Sequence, residues 1–164
     1  MYALLSLVKT MKEIVGSSPC KKTVQKIAYL TQEAGETLGF DFSIHFYGPY
    51  SEDLDAEMRC LFGRGDLNIE FTTHGHLLSL DNDSDIPPSG EIAHRVISKY
   101  GSKNPSELEL LATTLYVQRE MASTDTDGII GGVERIKGTK YSKIQITQAI
   151  STLSHDNYFG TQQL

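Results

Sequence analysis

Tyr47-Gly48-Pro49-Tyr50-Ser51 is the stretch on which the reading of this fold turns. Gly48 allows a backbone that a side chain would forbid, and Pro49 fixes φ and removes a donor, so the pair reads as a turn. Ser51 then caps a helix with Leu54, Met58, Leu61 and Phe62 facing inward and Gly63 as its stop. Upstream, Phe42 to Tyr47 is short, aromatic and β-branched, which predicts a strand. Downstream, Leu67, Ile69 and Phe71, then Leu78 and Leu80, alternate with polar residues on either side of His74-Gly75. That pattern predicts a β-hairpin.

Two helices precede this block. Residues 2–15 space Leu4, Leu5, Val8, Met11 and Val15 on one face before Gly16. Ser18-Pro19 reads as the start of the second helix, which places Val24, Ile27, Ala28, Thr31 and Ala34 inward and ends at Gly35. Helix, helix, short strand, helix, hairpin is the winged helix-turn-helix order, so residues 1–80 are expected to form such a module with the hairpin as its wing. Residues 81–90, with Pro87-Pro88, read as an acidic linker. Residues 91–164 read as a helical half, a second tri-helical unit packed on the first. One of its helices carries Ile92, Ala93, Val96, Ile97 and Tyr100. Asn104-Pro105-Ser106-Glu107 opens another, with Leu108, Leu111, Ala112 and Leu115 inward. A short helix holds Ile130, Val133 and Ile136. The last begins near Ser142 and buries Ile146, Ala149, Ile150 and Leu153, ahead of a polar, frayed end. The expected class is mainly α (α+β).

A chain of 164 residues can bury a sizeable core. No apolar run approaches the ~20 residues of a membrane span. Met1 to Val8 lacks a basic leader and reads as core helix, so a cytoplasmic protein with no membrane partner is expected. Cys20 and Cys60 read as two buried thiols. The net charge of −6 is uneven. Residues 1–90 hold seven Lys and Arg against thirteen Asp and Glu, while residues 91–164 hold eight of each. This is not the basic footprint of a nucleic-acid binder.

Two segments together carry a family resemblance. One is Val24-Gln25-Lys26-Ile27-Ala28-Tyr29-Leu30 and the other runs from Phe42 through Tyr47-Gly48-Pro49-Tyr50-Ser51. They resemble the YwgA-like bacterial proteins and, more distantly, are similar to the Panacea domain of SocA-like antitoxins. In that family a Leu-Gln-Lys-Leu-type helix precedes an aromatic segment ending in a Gly-Pro turn. The family's frequent tryptophan before the turn is absent, and the continuation Tyr50-Ser51 favours the YwgA-like branch. The resemblance implies a non-enzymatic module that recognises a protein, a toxin in some members. A second copy of the chain is the other partner considered, as a homodimer.

The candidate interaction surface is Tyr29, Tyr47, Gly48, Pro49, Tyr50, Ser51, Glu52 and Asp53, with the tyrosine rings packed on the corner and their hydroxyls on polar partners. As a DNA reader the third helix would lead with Glu52, Asp53, Asp55 and Glu57, which repel phosphates but suit its own dipole as a solvated helix start. Lys21, Lys22 and Lys26 read as a solvated face. The alternative is a transcriptional regulator that contacts DNA through Lys140, Lys143, Gln145 and Gln148, in a stretch that also holds Arg135 and Lys137. His74 and His76 share a strand face but read as a polar wing tip rather than metal ligands. Asp81 to Ile92 has isoleucine where a calcium loop needs its glycine and its final glutamate. Gly128, Gly131 and Gly132 lack a phosphate loop's lysine, and His45 reads as a strand histidine. No catalytic residue, cofactor or metal is assigned.

Overall fold

The computed structural model describes residues 3–73, 75–121 and 125–159. Among these the chain is mainly helical, with seven helices and two small antiparallel hairpins. The helices are α1 (Ala3–Val15), α2 (Lys21–Glu33), α3 (Glu52–Arg64), α4 (Glu91–Tyr100), α5 (Pro105–Glu120), α6 (Thr126–Lys137) and α7 (Lys143–His155). One hairpin joins β1 (Ser43–His45) to β2 (Gly48–Tyr50), and the other joins β3 (Asn68–Thr72) to β4 (Gly75–Ser79). His74 and the polar end from residue 160 lie outside the described residues.

α2 is the central element. It packs against α4, α5, β2 and β4. That is why Val24 through Thr31 are all buried, polar Gln25 and Lys26 included. One apolar core runs from Leu4 in α1 through Ile27 and Leu30 to Ile97, Leu108, Leu115 and Leu153.

Local chemistry explains the boundaries. The Ser51 hydroxyl accepts from Leu54 N at 3.2 Å and starts α3. Asn104 with Glu107, and Ser142 with Gln145, form reciprocal capping boxes at the starts of α5 and α7. Asp125 caps α6. Segment 81–90 is tied to α1: Lys9 donates to the carbonyls of Asp83 and Ile86, and Ser89 N donates to the Thr10 hydroxyl. Ile86 is buried there.

The structure corrects several local expectations. The turn is Phe46-Tyr47, and Gly48-Pro49 belongs to a second strand, with Ser43 opposite Tyr50 and His45 opposite Gly48. Pro49 is tolerated because this hairpin has only two strands and leaves an edge free. The second helix begins at Lys21, one residue after its cap Cys20, rather than at Pro19. The Pro19 carbonyl instead accepts from Leu78 N. The third helix passes Gly63 and ends at left-handed Gly65 (φ +79°), which accommodates that angle. Phe62 points outward, 45% exposed, because Leu61 and Met58 already fill that side of the core.

Candidate functional site

The Gly48-Pro49 corner is held by buried polar side chains from α2. The Gln25 amide donates to Ser51 O and accepts from Ser51 N, both at 2.9 Å. Lys26 Nζ donates to Pro49 O at 2.7 Å. The two segments that carry the family resemblance are therefore hydrogen-bonded to one another. Lys26 was expected on a solvated face but is only 4% exposed, because β2 and α5 close over that side of α2. Burial pulls its ammonium down to about 8, partly offset by Glu109.

The second half of the chain supplies the rest of the corner. Buried Glu109 of α5 pairs with Lys137 at 2.9 Å and Lys140 at 2.8 Å. Burial pushes its carboxyl up, and the hydrogen bonds from Lys140 and Lys137 outweigh that, holding it below the usual glutamate range. Lys137 Nζ also donates to Phe46 O at 2.6 Å. Gly48 sits on α5 with φ +89°, and a Cβ there would lie 2.8 Å from Thr113 Oγ1.

Above this buried base the hairpin presents its aromatic tip. Phe46 is 84% exposed and Tyr47 48%, with their rings edge-to-face at 4.9 Å. Lys22 Nζ lies 3.8 Å from the centre of the Tyr47 ring, a cation–π contact. Tyr50 stacks obliquely on His45 at 5.0 Å, and burial together with Asp55 pushes its hydroxyl up to about 12.

Tyr47 to Asp53 lie together, with Gly48, Pro49 and Ser51 buried and Glu52 and Asp53 exposed. Tyr29 does not join them. It is buried against Phe42 and Tyr116, at 5.2 and 6.3 Å. Asp55 is not part of a solvated helix start: it is buried and paired with Lys21 and Arg59. Of the alternative DNA set, Lys140 is engaged with Glu109 and Gln145 with the α7 cap, whereas Lys143 and Gln148 are exposed. Cys60 is exposed and Cys20 partly so, against the expectation of two buried thiols: Cys20 stands at the cap of α2 and Cys60 on a face of α3 that no other described element covers. The two-histidine pair involves His74, outside the described residues. Among the described residues no group of three His, Cys, Asp or Glu could hold a metal ion, and no helix is long and apolar enough to cross a membrane.

The sequence reading missed Phe46, Lys22, Glu109 and Lys137 as parts of this corner. Only the Gln25-Lys26 pair carried a signal, two polar residues adjoining Val24 and Ile27 on the core face. No family model matches the chain, and no curated protein matches it.

Proposed function

We propose that the chain is a cytoplasmic, non-enzymatic protein-recognition module of winged-helix design, which grips its partner through the Phe46-Tyr47 tip. The element order α1, α2, β1, β2, α3, β3, β4 supports the winged-helix reading, with a hairpin in place of the single short strand. The observation that carries the functional reading is the tip itself. Two aromatic rings stand exposed on a turn whose backbone is held by Lys137 at Phe46 O and whose following strand is held by Lys26 at Pro49 O. Rigid, exposed aromatics lose little entropy on binding and commonly anchor protein interfaces. Glu52 and Asp53 extend the surface with negative charge. The resemblance to YwgA-like and Panacea proteins suggests a toxin as partner.

The test is capture of a stoichiometric partner with the wild-type chain and with Phe46→Ser. Loss of at least about ten-fold in affinity on the substitution supports the reading, since such anchors are worth about 2 kcal/mol or more. Phe62→Ser, an exposed aromatic on α3, serves as the control and should bind as wild type. Micromolar duplex DNA binding at physiological salt, lost on neutralising Lys140 and Lys143, overturns it in favour of a regulator.

A further inference from the structure

A cleft of about 480 Å³ opens beside the tip, between the start of α2, Tyr50 and the end of the β3–β4 hairpin. Its size falls in the range of small-ligand sites. The hairpin is fixed as one wall: Cys20 bridges to Leu77, Leu78 N donates to Pro19 O, and Gly75 abuts the Cys20 sulfur.

The charge in this cleft is unbalanced. Lys21, Lys22 and Lys26 all line it. Lys21 is neutralised by Asp55. Among the described residues, neither Lys22 nor Lys26 has a carboxylate at ion-pair distance: Lys22 rests on the Tyr47 ring and Lys26 on the Pro49 carbonyl. Glu109 acts on Lys26 from farther off and is already shared by Lys137 and Lys140. A buried ammonium without a counter-charge is costly, and an anion in the cleft would remove that cost. The first turn of α2 adds to the same potential, since its cap Cys20 makes no side-chain hydrogen bond.

We propose that this cleft binds a small organic anion, its phosphate or carboxylate held by Lys22 and Lys26 and its body lying against Tyr50 and the hairpin wall. The cleft shares Tyr47 with the aromatic tip but not Phe46, and anion binding needs no protein partner, so it is tested apart from the proposed function.

The experiment is an amide NMR titration of the full chain with adenosine monophosphate, citrate and inorganic phosphate in turn. Saturable shifts at Lys22, Tyr50 and His76 are expected with at least one of them, weakening as salt rises. Adenosine monophosphate acting alone identifies a phosphate monoester; citrate acting alone identifies a carboxylate. Lys22→Gln, at an exposed position that leaves the core intact, is expected to weaken binding at least about ten-fold. Lys26→Gln should do the same if it folds. Absence of saturable shifts with all three probes at millimolar concentration overturns the proposal, and so does binding that Lys22→Gln leaves unchanged.

Discussion

At Gly48 one backbone angle and one close contact coincide. Its φ of +89° suits only glycine without strain, and a methyl group there would meet the Thr113 hydroxyl. Gly48→Ala is expected to lower stability by about 1 to 3 kcal/mol, read from the urea midpoint. Gln25 is the second decisive residue, because its amide oxygen accepts from buried Ser51 N and its NH2 shares Ser51 O with the Asp55 N–H of α3. Gln25→Ala strands the buried Ser51 N–H while Ser51 O keeps its bond from Asp55 N, so loss of about 1 to 3 kcal/mol is expected in the same assay. Lys26 makes a pH signature. Between about 8, its folded value, and 10.5, its ordinary one, the unfolded chain still holds a proton that the folded chain has released. Stability relative to Lys26→Met therefore rises with pH through that window, by at most about 1.4 kcal/mol per pH unit. A flat difference across the window would mean that burial does not pull the Lys26 ammonium down.

Among the elements, α5 works hardest, because it touches α2, β2, α6 and α7. Its crossing with α6 depends on Gly132, where an added Cβ would run into Val117 of α5. Gly132→Ala should therefore cost about 1 to 3 kcal/mol through overpacking, despite the better helix propensity of alanine. Gly131, one residue earlier with nothing near its Cβ position, is the internal control: Gly131→Ala should be neutral or stabilising by up to about 1 kcal/mol. Equal effects at the two positions would argue against this crossing.

At the scale of the whole molecule, the two halves share one core, and the corner that presents the aromatic tip is completed by Glu109 and Lys137 from the second. Thermal unfolding is expected as one cooperative transition, coincident by far-UV and near-UV circular dichroism. Two separated transitions would refute it. Acid should act on one buried ion-pair cluster in each half. Asp55 and Glu109 are held below their ordinary ranges by their lysine partners, against the opposing push of burial. Their stabilisation is present above the ordinary carboxylate values of about 4 and is lost as pH falls through the lower folded values. Glu109→Gln should flatten part of that acid limb.

Much of the architecture was legible because it is local. Apolar spacing marked the helices, Asn104 and Ser142 marked their starts, and alternation from Leu67 to Leu80 marked the second hairpin. The site was legible only in part. Tyr47 to Asp53 stood out as a turn and a cap, but the turn residues within it came out two positions early in the chain, at Phe46-Tyr47. Residue types bounded what Gly48 and Ser51 could do, and those limits held. Which polar residues became buried was decided by tertiary packing alone. Lys26 carries only its place beside Val24 and Ile27 as a mark, and Glu109 carries none, since charges on a helix face read as solvated until other elements close over them. The packing of β2 and α5 around α2, and of α6 on α5, does that here, and it turns an ordinary lysine-rich helix start into the floor of a charged cleft.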